Sequence, residues 1–383
     1  MPGASAEGGV LAPSRLVLCD LPSGALHQAL SFLDGVGLGR WETTCAPLGG
    51  LVAEDLWRGI VLRCWGWLLR QKPPSSSWKA LCVRLHTGAS SCFCVVGAGP
   101  RAGASCAHGL WPPAGAAGPG ARGRWVRLPA PAETREMAGV VRSAAGSVVV
   151  VGGTSPRVDE RGRLGFRTLA SAESCTDGVW SPLAAMREPR CCCSAALDAR
   201  GGVFVVGGGT SMYRGAACFR TVEYLPSLDG VWQEAPAMVS MRCAVGVAIS
   251  HETSRLFAFG GYSGVTYLET CEALELHGSA SARWTLLPPM TCKRAGCNAA
   301  CGPDGRVLDV RTSAWQLSRS RLRWGRHYNA AAFGPDGLLY VSGAFRHTGQ
   351  LDVVERYDPR IDRWEELSPI GTVVNFSAGT FVF

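Results

Sequence analysis

Two periodicities divide the chain. From about residue 15 to 88 the apolar positions recur at helical spacing. Leu26, Leu30 and Leu33 stand at i, i+4 and i+7 and form one stripe, which Asp34-Gly35 ends. Leu38, Trp41 and Cys45 continue the pattern until Pro47, which kinks the chain or starts a new turn. Leu48, Leu51, Leu56 and Trp57 extend the apolar face, followed by Ile60 and Trp65. The stretch QKPPSSS at 71–77 reads as a loop and Trp78–Leu85 as a last short helix. Residues 1–14 are Gly, Ala, Ser and Pro with little to bury, so a disordered start is expected.

After about residue 90 the texture changes to short apolar runs that end in glycine. They are Phe93–Gly97, Val148–Gly153, Val203–Gly208, Leu256–Gly261 and Leu339–Gly343, and they predict strands. Residues 99–122 are low in complexity and rich in Gly, Pro and Ala, which predicts a long surface loop.

The strands belong to a repeat. Tryptophan recurs at Trp125, Trp180, Trp232, Trp284, Trp315 and Trp364, at spacings of 55, 52, 52, 31 and 49. Arg135, Arg190, Arg242 and Arg294 each follow their tryptophan by ten residues, and Arg326 follows Trp315 by eleven. Between each arginine and the next tryptophan lies a glycine-terminated run, except in the short repeat 294–326. A period near 50 with strand, Gly-Gly, strand and Trp fits one four-stranded propeller blade per repeat. The chain ends in a single apolar strand, NFSAGTFVF, and its leading repeat lacks a first strand. Pairing the two ends closes the ring.

The repeats VFVVGGGTSMYRGAACFRTVEYLPSLDGVWQEAPAM, LFAFGGYSGVTYLETCEALELHGSASARWTLLPPM and LYVSGAFRHTGQLDVVERYDPRIDRWEELSPI resemble the kelch repeat over roughly residues 91–383. The resemblance implies an all-β propeller of about six blades, one truncated at 294–326, closed by the N- and C-terminal strands. The segment at 15–65, with Leu21-Pro22, the Leu26/Leu30/Phe32/Leu33 helix and Asp55-Leu56-Trp57-Arg58 in order, resembles an F-box. Residues 66–90 then form a helical linker. This resemblance implies a small all-α module that docks on the Skp1-like adaptor of a cullin-containing ubiquitin ligase. Leu21, Pro22, Leu26, Leu30, Leu33 and Trp57 are the candidate docking face, or its own supporting core.

Composition narrows the function. Charged residues are 18% and hydrophobic residues 47%, which excludes a charge-driven disordered chain. The net charge of +8 comes almost wholly from arginine, since lysine stands only at Lys72, Lys79 and Lys293. The arginines are scattered and carry no nucleic-acid motif, so no nucleic-acid partner is expected. No run is long enough to span a membrane and no secretory leader is evident, so a cytoplasmic or nuclear protein is expected. The 17 cysteines then read as free thiols, and their spacing, which lacks C-x-x-C, predicts no metal site.

No triad, dyad or metal cluster is legible among the Asp, Glu and His positions, and Gly207-Gly208-Gly209 lacks the Lys-Ser/Thr of a phosphate loop. Neither an enzyme nor a cofactor is expected. Two readings fit the recurring Arg135, Arg190, Arg242, Arg294 and Arg326. Either they ring one rim of the propeller and grip an acidic or phosphorylated segment of a client, or each braces its blade through backbone carbonyls. The sequence therefore predicts a non-catalytic substrate receptor of a ubiquitin ligase. A kelch scaffold for cytoskeletal or transcriptional partners, without a ligase, is the alternative.

Overall fold

The computed structural model describes residues 92–98, 105–111, 124–143, 147–158 and most of 160–300. Beyond them it describes 308–309, 314–315, 329–334, 337–343, 345–346, 349–350, 353–367 and 375–382, with a few single positions. All belong to one of the two units into which the chain divides, that of residues 65–70 and 87–383. The expected disordered start at 1–14, the F-box at 15–65 and the linker at 66–90 lie outside the described residues, and with them Leu21, Pro22, Leu26, Leu30, Leu33 and Trp57.

The described residues form strands and turns without a helix. Five antiparallel four-stranded sheets make up the blades. Blade 1 holds Asn375–Val382, Cys92–Ala98, Ser105–Trp111 and Arg124–Leu128, in that order from the inside outward. Blade 2 holds Gly139–Arg142, Val148–Val151, Ala172–Thr176 and Val179–Leu183, and blade 3 Ser194–Leu197, Val203–Val206, Val222–Leu225 and Gln233–Ala235. Blade 4 runs Gly246–Ser250, Arg255–Phe259, Cys271–Glu275 and Thr285–Leu287, and, with the number 5 kept for the short repeat, blade 6 holds Ala330–Phe333, Leu339–Ser342, Val354–Asp358 and Arg363–Glu366. The second strands of blades 2 and 3 are buried at every residue, because each blade is covered on both faces by its neighbours. That is why they read as unbroken runs of Val and Phe rather than as alternation.

The C-terminal strand does pair with the first described strand. Asn375–Val382 pairs with Cys92–Ala98 in the register Cys92↔Val382 to Ala98↔Asn375, with a bulge between Val96 and Ala98. One expectation is corrected. Residues 99–122 are not a continuous loop, since Ser105–Trp111 is the third strand of blade 1 and pairs on both sides. Its Ser, Cys, Ala and Gly residues hide the strand pattern in the sequence, but the strand lies between two paired neighbours and its Ala107 is buried.

Among the described residues, the short repeat holds a ladder of Leu308–Asp309 with Ala314–Trp315. The inner strands of blades 6, 1, 2, 3 and 4 run side by side in that order. Between blades 4 and 6 the chain at 297–299 takes the inner place. A Cβ on Gly246 of blade 4 would lie 3.3 Å from the Cys297 carbonyl oxygen, and the Asn298 amide donates to the Asn329 carbonyl beside blade 6.

Tryptophan fastens blade to blade. Trp180, Trp232 and Trp284 donate their indole N–H to the carbonyls of Pro129, Ala184 and Pro236, at 3.0, 2.8 and 2.7 Å. Each acceptor lies just beyond the outer strand of the preceding blade. Trp232 and Trp284 are buried, so the ring fills the seam while its polar edge is satisfied. Trp232→Phe is expected to lower stability by about 1–3 kcal/mol, from one lost hydrogen bond and part of the buried ring. The shift in urea midpoint measures it.

Candidate binding face

In a four-stranded antiparallel blade, the connection between second and third strands leaves by the same end as the connection to the next blade. All these connections share one face of the propeller. The recurring arginines lie in the inter-blade connections, four residues before the inner strands of blades 2, 3 and 4.

There each meets a glutamate of the third strand. Arg242 donates to Glu272 from Nε at 3.0 Å and Nη2 at 2.7 Å, and to the carbonyls of Gly260 and Thr270 from Nη1 at 2.6 and 2.9 Å. Glu272 also accepts the backbone N–H groups of Val239 and Ser240. Arg135 repeats the pattern with Glu173, Gly152 and Ser171, and Arg190 with Glu223, Gly207 and Thr221. Glu173 and Glu223 again accept two loop N–H groups each, from Ala132 and Glu133 and from Arg187 and Glu188. Arg190 differs in that its Nε finds no acceptor, while its guanidinium lies 5.4 Å from the Phe219 ring centre.

These three arginines are 0–2% exposed. They hold equivalent places, as the sequence predicts, but their donors, Arg190 Nε apart, are engaged inside the blade. Of the two readings, bracing describes Arg135, Arg190 and Arg242. A rim of forks at these positions is excluded by the burial of their partners, Glu173, Glu223 and Glu272. Arg294 is exposed, at the start of the short repeat, and Arg326 lies outside the described residues.

Gly-Gly completes the clasp. Gly152-Gly153, Gly207-Gly208 and Gly260-Gly261 all have positive φ, near 60° and then near 95°. The second glycine donates to the carbonyl of the next blade's arginine, Gly153 to Arg190, Gly208 to Arg242 and Gly261 to Arg294. Two residues beyond each arginine, Met137, Cys192, Ala244 and Gly296 all adopt the left-handed conformation. They form a chain in which Cys192 N–H bonds Met137 O, Ala244 N–H bonds Cys192 O and Gly296 N–H bonds Ala244 O. Left-handed backbone at three non-glycine residues costs about 1 kcal/mol or more each, which these circumferential bonds offset.

The clasps hold the loops still and leave chosen side chains outside. Six of the ten large hydrophobic side chains that are exposed among the described residues lie on this face: Val158, Phe166, Val239, Met241, Val265 and Tyr267. Val158 and Phe166 ride on a hairpin, Thr154–Val158 with Leu164–Thr168, that stands off blade 2. Val265 is 88% exposed at the tip of a turn built by Ser263, whose N–H donates to Thr266 O and whose Oγ accepts the N–H of Thr266. Tyr262 supports Tyr267 from beneath, with ring centres 5.4 Å apart. Arg157, Arg167, Arg187, Arg220, Lys293 and Arg294 are exposed in the same set of connections. Arg167 pairs with Glu133 and Arg187 with Glu234.

The opposite face holds a cavity of about 140 Å³ lined by Asp198, Phe204, Tyr224, His251 and Leu276 among others. Its polar groups serve the fold. Asp198 accepts the N–H of Arg200 and Gly202 through Oδ1 and the Tyr224 hydroxyl through Oδ2. Burial and that carboxylate push the Tyr224 hydroxyl up to about 12, so it is a donor and not a base at neutral pH.

No group of three or more His, Cys, Asp or Glu residues could hold a metal ion, and no helix is long and apolar enough to cross a membrane, among the described residues. Residues 326–371 match the kelch motif. No curated protein matches the chain. The solved structure of YjhT is similar, with a TM-score of 0.51 and 13% identity, over 69% of this chain and 91% of that one. The motif and the structural likeness together support a kelch-repeat β-propeller.

Proposed function

We propose that the chain is the substrate-recognition subunit of a Skp1–cullin–F-box ubiquitin ligase, without catalysis of its own. Residues 15–65 dock on the adaptor, and the propeller holds the protein to be ubiquitinated. One observation carries the client-binding half: exposed apolar side chains gather on the face where the Arg–Glu clasps of blades 2, 3 and 4 tie the connections to the sheets. A kelch propeller suggests protein binding, and an exposed aromatic anchor among cations suits a protein segment with an apolar residue beside acidic or phosphorylated ones. The F-box pattern from Leu21-Pro22 to Trp57 supports the ligase half. The mechanism is proximity, in which the receptor raises the effective concentration of client at the ligase.

The test is capture of client proteins by the full chain and by Tyr267→Ala combined with Val265→Asp. Both side chains are exposed, so the thermal midpoint is expected to stay within a degree or two. Client yield is expected to drop about tenfold or more, as for loss of an interface anchor. Unchanged yield would assign the client to another surface.

A further inference from the structure

Three inter-blade connections carry the same carboxylate receptor, and the blade that follows fills it. Its donors are the arginine and the backbone N–H groups three and two residues before it: Ala132 and Glu133 for Arg135, Arg187 and Glu188 for Arg190, Val239 and Ser240 for Arg242. The acids are Glu173, Glu223 and Glu272. The fourth connection keeps the backbone frame. Met290 and Arg294 donate their N–H to the carbonyls of Glu269 and Leu268, as Met238 and Arg242 do to those of Arg220 and Phe219. Gly261 donates to the Arg294 carbonyl as Gly208 does to that of Arg242.

The fourth connection differs in its acid. The sequence has no glutamate between Glu275 and Glu355. In blades 2 and 6 the glutamate stands two residues before the partner of the outer-strand tryptophan, Glu173 before Cys175 and Glu355 before Tyr357. Trp315 of the short repeat pairs with Leu308, and two residues before Leu308 the sequence has Arg306, of opposite charge. Among the described residues nothing accepts from the Arg294 guanidinium or from the N–H groups of Thr291 and Cys292. All four residues from Thr291 to Arg294 are exposed.

We propose that Thr291, Cys292 and Arg294 take their carboxylate from outside the chain, as a glutamate side chain of a bound protein. The proposal rests on the client-face reading and names the group which that face recognises. The Arg294 N–H bonds the carbonyl of Leu268, next to Tyr267, so a glutamate held there lies beside an apolar client residue seated on Tyr267 and Val265. The backbone fixes the two N–H donors before the client arrives, which lowers the ordering cost of binding. A guanidinium fork favours a carboxylate over the neutral amide of glutamine.

The experiment offers the full chain three synthetic peptide pools with random flanks and one fixed leucine. They differ at one neighbouring position, which is glutamate, glutamine or phosphoserine, and retained peptides are counted by mass spectrometry. The wild type is expected to retain the glutamate pool about tenfold over the glutamine pool. Arg294→Ala is expected to retain both at the glutamine level, with a thermal midpoint within a degree or two of wild type because the side chain is exposed. Arg294→Lys, which keeps the charge without the fork, is expected to recover only part of the preference. Equal retention of the glutamate and glutamine pools by the wild type overturns the proposal. So does a glutamate preference that survives in Arg294→Ala, or a preference for phosphoserine over glutamate. Client capture by Tyr267→Ala with Val265→Asp reads the client face separately. A glutamate preference lost in Arg294→Ala, beside client capture unmoved by that double variant, upholds the receptor and removes only the client from the Tyr267 surface.

Discussion

Arg242→Ala is expected to destabilise the propeller by about 3–5 kcal/mol, the usual cost of removing one partner of a buried ion pair. Glu272 is 0% exposed and would be left with only two hydrogen-bond donors, the N–H groups of Val239 and Ser240. The carbonyls of Gly260 and Thr270 and the hydroxyl of Thr270 would lose their donors as well. Arg242→Lys restores a charge but not the fork that reaches carboxylate and both carbonyls together, so it is expected to recover only part of the loss. Urea denaturation of the three proteins measures the series. Equal stability of wild type and Arg242→Ala would mean the guanidinium is not the brace of blade 4.

Gly207→Ala is expected to cost about 3–5 kcal/mol, through left-handed strain, a steric clash and a weakened inter-blade hydrogen bond. Gly207 has a φ of 61°, and a Cβ there would lie 2.3 Å from the Arg242 carbonyl oxygen. That oxygen cannot retreat freely, because it accepts the N–H of Gly208 and ties blade 3 to blade 4. Gly215→Ala is the control. Its φ is also positive, at 85°, but nothing lies within 4 Å, so about 1–2 kcal/mol of strain is expected and no clash. Similar losses at both positions, read from urea midpoints, would place the whole effect in backbone strain.

The repeat made the blades legible because its markers keep fixed offsets. Trp125, Trp180 and Trp232 each precede their arginine by ten residues, and the connections into blades 2, 3 and 4 are each ten residues long. The role of the arginines was not legible in this way. Their partners follow at 38, 33 and 30 residues, for Glu173, Glu223 and Glu272, because the connections between second and third strands differ in length. The hairpin carrying Val158 and Phe166 is one such extension. A glutamate in each third strand was the available signal, and it becomes informative only once strands are aligned rather than residues counted. Met186, Met238 and Met290 were a second unread marker, each buried four residues before its arginine. The left-handed positions were hidden because Met137, Cys192 and Ala244 are residues that rarely adopt them, and only Gly296 gives the conformation away.

The clasps also explain how a repeat protein can vary its surface. The arginine, glutamate and glycines are committed to the blade interior, so side chains between them, such as Val239 and Met241, are free to differ without cost to the fold. The proposed client face and the proposed adaptor-binding segment are separate in the sequence, and the proposed mechanism requires that they also fail separately.

The most direct measurement is quantitative affinity purification of three full chains from cells: wild type, Leu21→Ala with Pro22→Ala, and Tyr267→Ala with Val265→Asp. The wild type is expected to bring down Skp1, cullin and clients together. The Leu21/Pro22 variant should lose Skp1 and cullin but keep clients, and the Tyr267/Val265 variant the reverse. Clients recovered with a wild-type chain that carries neither Skp1 nor cullin would contradict the account and leave a propeller scaffold that acts without a ligase.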